Sequence, residues 1–279
     1  MQLLVTGAAG QLGYDVVDAF RTHDVVAVAH HELDITDRDA VMQAVTTFRP
    51  QAIINCAAFT AVDACESEPD RAFAANALGV RHVAEAARRV GAHVCHISTD
   101  YVFDGDKPTP YTEWDVPAPR SVYGQSKLAG ERELDADATI VRTSWVCGER
   151  GNNMVKTILR LAGERDQLAF VDDQVGHPTF TEDLATIIRK LVVDRRPGLF
   201  HVTNQGAVSW YEFARAVLAA AGHDPGRVRP IATSELDPPR PAPRPANSVL
   251  DNAALRLSGI DLLTDFREPL TRLVKQLVE

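Results

Sequence analysis

Residues 3–13 read LLVTGAAGQLG, a short apolar run followed by a turn that contains three glycines. The apolar run predicts a buried strand, and the residues after the turn predict a helix. Gly7 permits a tight turn, Gly10 permits close approach of a pyrophosphate, and Gly13 permits the helix to pack against the strand. The amino end of that helix would offer free N–H groups to phosphates. The turn therefore favours a dinucleotide site, with an ordinary glycine turn as the alternative.

Outward from this turn, the first half of the chain alternates short apolar runs with longer helical patterns. The predicted strands are residues 3–6, 25–29, 52–55, 93–98 and 139–142, and the predicted helices are residues 11–21, 37–48, 69–90 and 122–133. Such alternation predicts parallel strands with helices on both faces. Right-handed crossovers then make a doubly wound, Rossmann-like α/β sheet the economical topology.

The second half is less regular. Residues 153–162, 209–221 and 266–278 predict helices, residues 198–202 predict a strand, and the prolines of residues 237–245 predict a constrained surface loop. We predict a dinucleotide-binding domain over residues 1–145, to which a strand and a helix near residues 180–203 return. Residues 146–279 then form a smaller α/β domain that mainly binds the substrate.

Composition and charge exclude several classes of protein. The 279 residues carry a formal net charge of -9, which argues against a general nucleic-acid binder. No run of about 18 apolar residues predicts a membrane span, and no signal-peptide pattern is present. Cys56, Cys65, Cys95 and Cys147 are scattered, and no zinc-binding spacing occurs. We therefore expect buried thiols, no metal site and a reducing cytoplasmic location.

The sequence Tyr123-Gly-Gln-Ser-Lys127 places a phenol and an ammonium four residues apart, on one face of a predicted helix. A positive neighbour is expected to lower the pKa of the phenol from its usual value of ~10, so that the phenol can protonate a carbonyl oxygen. Such a pair alone is more often an exposed helical pair. Ser98 or Thr99, at the end of a predicted strand, supplies a hydroxyl for the same oxygen, which makes a coherent carbonyl-reduction site.

Two further segments point to the cofactor. Asp34 lies where an acidic contact to the adenosine half is expected, although this segment also offers Thr36 or Asp37 as a helix cap. Residues 55–58 read NCAA and offer small side chains at the carboxyl edge of the sheet. The residues predicted to contact the cofactor are Gly7, Gly10, Gln11, Leu12, Gly13, Asp34, Ile35, Ala57, Ala58, Tyr123 and Lys127. Both NADPH and NADH remain open.

Taken together, these motifs resemble the extended short-chain dehydrogenase/reductase family and, within it, the dTDP-4-dehydrorhamnose reductases. The resemblance covers essentially the whole chain. Besides residues 7–13 and 123–127, it rests on residues 55–63 (NCAAFTAVD), 98–105 (STDYVFDG), 142–146 (RTSWV), 173–179 (DQVGHPT) and 244–248 (RPANS).

The resemblance implies reduction of the C4 keto group of dTDP-4-dehydro-L-rhamnose to dTDP-L-rhamnose by hydride from NADPH or NADH. It implies that Thr99 hydrogen-bonds the carbonyl oxygen, that Tyr123 protonates it, and that Lys127 holds the nicotinamide ribose. It also implies that Asp100 and Trp145 approach the deoxysugar.

Other residues have two interpretations each. Trp145 is equally suited to a core position after a strand. Arg240 and Arg244 are suited to the substrate diphosphate or to a solvated basic loop. His177 would reach the substrate or serve as a structural hydrogen-bonding residue.

Two alternative functions stay open at this point. One is a reductase or epimerase of another nucleotide-linked 4-keto deoxysugar, and the other is a non-catalytic NADP-binding regulatory subunit. The expected partner is a nucleotide sugar, with no nucleic acid and no membrane. The oligomeric state is left open, with a homodimer as the candidate.

Overall fold

The computed structural model describes residues 1–278. Its strands are β1 (Gln2–Thr6), β2 (Asp24–Val28), β3 (Ala52–Asn55), β4 (His93–Thr99), β5 (Thr139–Thr143), β6 (Val146–Cys147), β7 (Leu168–Val171), β8 (Val175–Gly176), β9 (Thr179–Phe180), β10 (Gly198–His201), β11 (Val208–Ser209) and β12 (Val228–Ile231). Its α-helices are α1 (Gln11–Ala19), α2 (Arg38–Phe48), α3 (Val62–Ser67), α4 (Pro69–Phe73), α5 (Gly79–Val90), α6 (Val122–Glu131), α7 (Met154–Glu164), α8 (Thr181–Val193), α9 (Trp210–Ala220), α10 (Ala253–Leu257) and α11 (Arg267–Val278).

A six-stranded sheet forms the centre of the molecule, and its neighbouring strands all pair in parallel. The strand order is β10-β5-β4-β3-β1-β2. From β1 the chain moves outward to β2 and then crosses back to β3 on the other side of β1. The strand order therefore reverses between β1 and β3, which is where open α/β sheets bind ligands beyond their carboxyl ends. The predicted doubly wound α/β fold is confirmed.

The predicted strands of the first half all form, with bounds that differ by one residue at most. The predicted helix over residues 69–90 is instead α4, a π-helical turn at Ala74–Leu78, and α5. The buried amide of Asn76 lies in that turn, accepts a hydrogen bond from Phe59 N and donates to Phe59 O and Ser126 Oγ. A tertiary contact of this kind, which has no helical period, cannot be predicted from the local pattern.

Two of the apolar cores of the described residues adjoin the candidate site. The first packs α1 and α8 on one face of the central sheet, and its members include Val16, Ile54 and Ile188. The second packs α7, α9 and α11 together with the short strands β6 and β7, and its members include Ile158 and Phe213. α8 and β10 belong to the first core, because β10 pairs with β5 and α8 packs on α1.

The start of α6 is fixed by two local features. Ser121 Oγ accepts a hydrogen bond from Gly124 N, which caps the helix. A Cβ at Gly124 would lie 2.1 Å from Tyr101 O, so only glycine lets α6 approach the segment that follows β4. This close approach positions the first turn of α6, which carries Tyr123.

None of the helices formed by residues 1–278 combines the length and the apolar character needed to cross a bilayer.

A buried ion pair ties α6 to the central sheet. Arg142 on β5 donates through Nε and Nη2 to the two carboxylate oxygens of Glu131, at 2.9 and 2.6 Å. Ser98 Oγ donates to the same carboxylate at 2.5 Å. The side chains of Arg142 and Glu131 are only 3% and 6% exposed, so removal of either one leaves a buried charge without its partner.

We expect Arg142→Met to lower the free energy of unfolding by about 3–5 kcal/mol, because the Glu131 carboxylate would stay buried and unpaired. Denaturant unfolding followed by circular dichroism measures this change. The matched control is Arg160→Met, which removes an exposed pair with Glu164 and should cost only about 0.3–0.5 kcal/mol. Equal losses in the two variants would contradict the interpretation.

Candidate active site

Two adjoining cavities follow the carboxyl edge of the central sheet at the point where the strand order reverses. Their volumes are about 490 and 480 Å³, and Gly10, Cys56 and Ala58 line both. The first, called here the reaction cavity, is lined by Gly10, Gln11, Leu12, Gly13, Cys56, Ala58, Thr60, Val62, Ile97, Ser98, Thr99, Asp100, Tyr101, Tyr123, Lys127, Thr143, Ser144, Trp145, Val146, Asn152 and Trp210. The second, the adenosine-side cavity, is lined by Gly7, Ala9, Gly10, His30, Asp34, Ile35, Thr36, Cys56, Ala57, Ala58, Phe59, Arg71, Ala74 and Ala75.

The glycine turn lies between the two cavities. Gly7 has φ +68°, and a Cβ there would lie 2.7 Å from Ala57 N. A Cβ at Gly13 would lie 2.2 Å from Gly7 O. No side chain caps the amino end of α1, so its first N–H groups face the cavity edge without a competing side-chain acceptor. These features fit the pyrophosphate of a dinucleotide.

The adenosine-side cavity contains the acidic residue that the sequence points to. Asp34 Oδ1 accepts hydrogen bonds from Thr36 N and Thr36 Oγ1, at 2.9 and 2.8 Å, and lies 3.9 Å from His30 Nδ1. The cap of α2 is Asp37, whose side chain accepts from Ala40 N. The helix-cap alternative therefore applies to Asp37, and Asp34 remains available at the cavity.

Tyr123 and Lys127 lie on the same face of α6 and both line the reaction cavity. The side chain of Lys127 is buried, its Nζ donates to Ile97 O at 2.6 Å, and it lies 3.3 Å from His96 Nε2. The ring of Tyr123 packs edge-on against Tyr101 with 5.6 Å between centroids. Lys127 is thus buried and Tyr123 is half-buried at the cavity, so the alternative of an exposed helical pair is wrong.

The pKa values correct one detail of the sequence-based expectation. Burial raises the pKa of the Tyr123 phenol well above its usual value, although a hydrogen bond with Thr99 acts in the opposite direction. Burial also lowers the pKa of Lys127 to about 8, although Glu131 and Cys56 act to raise it. The expected lowering of the phenol pKa by Lys127 is therefore absent here, because desolvation is the dominant effect on both groups.

The two candidate hydroxyls at the end of β4 differ in their partners. Ser98 Oγ donates to Glu131, whereas Thr99 Oγ1 donates to Asp100 Oδ1 at 3.0 Å and accepts from Tyr101 N. Thr99 is thus the hydroxyl next to Tyr123, which favours it over Ser98 for contact with a carbonyl oxygen.

Asp100 is a buried carboxylate at the same place. Its side chain is fully enclosed, and its Oδ2 has no hydrogen-bond partner among residues 1–278. Burial raises the pKa of Asp100 to about 6, although hydrogen bonds from Ser248 and Thr99 act to lower it.

Trp145 has an unusual backbone conformation, with φ 44°. Its ring stacks on Trp210 with 3.6 Å between centroids and 9° between planes. A bulky residue in the left-handed region is an outlier that tertiary packing must stabilise, and such outliers concentrate at functional sites. Trp145 lines the reaction cavity and also packs against the second core, so its core contact is observed and its contact with the deoxysugar stays a prediction.

Arg240 and Arg244, which the sequence suits to the diphosphate or to a solvated loop, both lie beside the carboxylate of Asp63. Arg244 donates through Nη1 and Nη2 to both carboxylate oxygens of Asp63, at 2.6 and 2.9 Å, and Arg240 lies 3.7 Å from the same carboxylate. Neither arginine lines the two cavities. The guanidinium of Arg244 is therefore engaged with Asp63 rather than free, and its contact with a diphosphate stays a prediction. The side chain of Arg244 is only 16% exposed, so the alternative of a solvated loop does not describe it.

His177 is buried, and its Nδ1 lies 3.2 Å from Thr203 Oγ1. It lies outside both cavity linings, which agrees with the structural interpretation.

Several lining residues escaped the sequence analysis. Trp210 is the first residue of α9. Asn152 lies in the loop before α7, and its backbone oxygen accepts a hydrogen bond from Gln11 Nε2 at 3.0 Å. His30 and Arg71 line the adenosine-side cavity. The capping pattern at residues 209–212 predicts that Trp210 lies at the start of a helix. No local pattern predicts that these residues line the cavities. Among residues 1–278, no group of three or more His, Cys, Asp or Glu side chains is arranged to hold a metal ion.

The comparisons with known proteins agree with this geometry. The family model described as RmlD substrate binding domain matches residues 1–279. A dTDP-4-dehydrorhamnose reductase from Streptomyces griseus is 44% identical over 96% of this chain and 91% of its own length. A dTDP-4-keto-6-deoxy-D-glucose reductase from Streptomyces niveus is 42% identical over 96% of this chain and 95% of its own length.

A solved structure is also similar. The dTDP-4-dehydrorhamnose reductase of Bacillus anthracis, in complex with NADP, superposes with a TM-score of 0.94 at 41% identity, over 99% of each chain. The match over the whole chain and the level of identity show that this chain belongs to the dTDP-4-dehydrorhamnose reductase family.

Proposed function

We propose that the chain catalyses NADPH- or NADH-dependent reduction of the C4 keto group of dTDP-4-dehydro-L-rhamnose, giving dTDP-L-rhamnose. The observation that carries the proposal is that Thr99, Tyr123 and Lys127 line one cavity, directly beside the glycine turn. Relatives with this chemistry in their names are 41–44% identical to the chain over nearly its whole length.

The cofactor supplies the hydride in this reaction. Gly7, Gly10 and Gly13 would hold its pyrophosphate at the amino end of α1, because a Cβ at Gly7 or Gly13 would collide with the backbone that forms this tight turn. Asp34 and Ile35 would contact the adenosine half of the cofactor. Ala57 and Ala58 would lie along the middle of the cofactor, near the place where the two cavities meet. Gln11 and Leu12 would lie next to the pyrophosphate on the reaction-cavity side. The NADP complex of the Bacillus anthracis relative supports this assignment.

The proton comes from the chain itself. Tyr123 would donate its phenolic proton to the carbonyl oxygen as C4 is reduced, since burial keeps the phenol protonated at neutral pH. Thr99 would hydrogen-bond the same oxygen and orient it. Lys127 would hold the nicotinamide ribose and, as a cation, stabilise the phenolate that forms when the proton leaves.

The sugar would lie at the outer side of the reaction cavity. Asp100 and Trp145 both line the reaction cavity, so Asp100 would lie beside a sugar hydroxyl and Trp145 would cover the apolar face of the deoxysugar. Arg244 would meet the diphosphate if it exchanged its contact with Asp63 for the substrate. The net charge of -9 supports a small-molecule partner rather than nucleic acid. We also propose a cytoplasmic location and a homodimeric assembly.

A second substrate has specific support. The Streptomyces niveus relative is named as a reductase of dTDP-4-keto-6-deoxy-D-glucose, and it is 42% identical to the chain. The same proton donor and the same cofactor site would serve that reaction, since the two sugars differ only in configuration. A regulatory subunit without activity is less well supported, because Thr99, Tyr123 and Lys127 are all present at the reaction cavity.

We expect the purified protein to oxidise NADPH or NADH with dTDP-4-dehydro-L-rhamnose, with a larger kcat/KM than with dTDP-4-keto-6-deoxy-D-glucose. Absorbance at the nicotinamide band measures the rate, and NMR of the product gives the configuration at C4. Interconversion of sugars without net oxidation of the cofactor would indicate an epimerase. No turnover with any 4-keto nucleotide sugar would contradict the proposal.

We expect Tyr123→Phe to lower kcat by about 10²–10⁴-fold, since the proton donor is lost. Cofactor affinity, measured by fluorescence titration, should stay close to that of the unmodified protein. Tyr14→Phe is the control, because Tyr14 is a partly exposed phenol on α1 that lines neither cavity. Retention of most of the turnover by Tyr123→Phe would refute the assignment of this phenol as the proton donor.

We expect Lys127→Ala to lower both kcat and cofactor affinity, the affinity by about tenfold or more, which corresponds to about 1.4 kcal/mol. Isothermal titration with NADPH and NADH measures the affinity. Lys190→Ala, on the exposed side of α8, is the control. An unchanged affinity in Lys127→Ala would exclude the proposed contact with the ribose.

A further inference from the structure

A line of buried polar side chains runs beneath the reaction cavity, from the central sheet to Lys127. Thr6 Oγ1 donates to Asn55 Oδ1 at 2.7 Å, Asn55 Nδ2 lies 3.1 Å from His96 Nδ1, and His96 Nε2 lies 3.3 Å from Lys127 Nζ. All four side chains are buried. The line crosses β1, β3 and β4 and ends on α6, so a change at one end can affect the group at the other end.

The orientation of the Asn55 amide is determined by a backbone group. Asn55 Oδ1 accepts from Ala57 N at 3.2 Å as well as from Thr6 Oγ1. A backbone N–H can only donate, so the amide oxygen must face Ala57 and the amide nitrogen must face His96. Asn55 therefore presents a donor to His96 Nδ1.

This donor determines the tautomer of the imidazole. With Nδ1 accepting from Asn55, a neutral His96 carries its proton on Nε2 and directs it at Lys127 Nζ. An ammonium has three donors and no lone pair, whereas a neutral amine can accept one hydrogen bond. Lys127 Nζ also donates to Ile97 O, which either form can do. The contact with His96 thus suits the amine and opposes the ammonium.

We propose that His96, oriented by Asn55, is a positioning residue that adds to the effect of burial in destabilising the protonated form of Lys127 and so helps to set the pH above which reduction stops. The proposal rests on the function proposed above, in which Lys127 acts as a cation.

The other charges around Lys127 do not remove this effect. Glu131 lies one turn further along α6, but its carboxylate is already paired with Arg142 of β5. Cys56 follows β3, and burial raises the pKa of its thiol to about 12, so it is neutral at physiological pH. Tyr123, on the preceding turn of α6, is likewise protonated. Burial and Lys127 together hold the pKa of His96 well below its usual value, so the ring is neutral as the argument requires.

The direction of the pH effect follows from the sign of the shift. The pKa of Lys127 is lowered to about 8, so the ammonium predominates below that pH and is lost as the pH rises through it. Reduction needs the ammonium to stabilise the phenolate of Tyr123, and its rate should therefore fall above about pH 8. A change that makes His96 Nε2 an acceptor would raise the pKa of Lys127 and move this fall to higher pH.

Asn55→Asp makes that change with almost no change in volume. A carboxylate at this position still accepts from Thr6 and Ala57, but it presents an acceptor to His96 Nδ1, which moves the ring proton to Nδ1 and leaves Nε2 free to accept from Lys127. We expect the pKa of Lys127 to rise by about one unit or more. Asn252→Asp is the matched control, because Asn252 is a buried amide that lies outside both cavities.

The first measurement needs no activity and no cofactor. Long-range ¹H–¹⁵N spectra of ¹⁵N-histidine protein, with His96 assigned from its loss in His96→Gln, should show a neutral ring protonated on Nε2. Spectra of protein labelled at lysine ¹³Cε, assigned with Lys127→Ala, should show Lys127 titrating near pH 8 in the unmodified protein and higher in Asn55→Asp. An Nδ1-protonated or doubly protonated His96 in the unmodified protein would overturn the proposal, even if Asn55→Asp does not fold.

The second measurement is the pH profile of kcat/KM with a 4-keto nucleotide sugar. We expect the fall at high pH to move upward in Asn55→Asp together with the Lys127 titration, and to stay in place in Asn252→Asp. A profile that stays in place in Asn55→Asp while the enzyme turns over would overturn this inference and leave the proposed function intact. Conversely, the expected NMR titrations without any turnover would contradict the proposed function and leave the contact between His96 and Lys127 established.

Discussion

The register of four neighbouring parallel strands determines where the functional groups of this protein meet. Thr6 pairs with Asn55, and Asn55 pairs with His96, so β1, β3 and β4 reach one level at these residues. β4 then continues to Thr99 with only β5 beside it, where Thr99 pairs with Thr143. Beyond the end of β3, Lys127 Nζ donates a hydrogen bond to the carbonyl oxygen of Ile97, and Thr99 lines the cavity. A slip of one residue would turn each side chain to the opposite face.

Burial is the second constraint, and it acts on every titratable group of the reaction cavity. It raises the pKa of Asp100 and Tyr123 and lowers that of Lys127. Desolvation thus favours the neutral form of each group, although the ammonium of Lys127 still predominates below about pH 8. Burying these polar groups is unfavourable in free energy, and interactions elsewhere in the fold must offset it. The two apolar cores and the ion pair of Arg142 with Glu131 stabilise the framework that holds them.

The cavity is completed by residues of the second core. Trp145 leaves the central sheet in a left-handed conformation, and its stack on Trp210 joins that residue to α9. The contact of Gln11 with the backbone of Asn152 joins α1 to the loop before α7. The reaction cavity is therefore lined both by residues of the central sheet, such as Thr99, and by Trp145 and Trp210, which pack against the second core.

By itself the sequence determined the α/β class, the strands of the first half, the glycine turn, and the pairing of Tyr123 with Lys127 on α6, because each of these depends on local periodicity or on a spacing of four residues. The tertiary structure decided what no local pattern contains. The strand register joins Asn55 to His96, and the packing of α6 buries Lys127. An ion pair with Asp63 engages Arg244, for which the sequence left open both a diphosphate contact and a solvated loop. Burial also reversed the expected direction of the Tyr123 pKa shift. The reason is physical: desolvation and hydrogen-bond partners depend on residues distant in the chain, which only the folded sheet brings within reach.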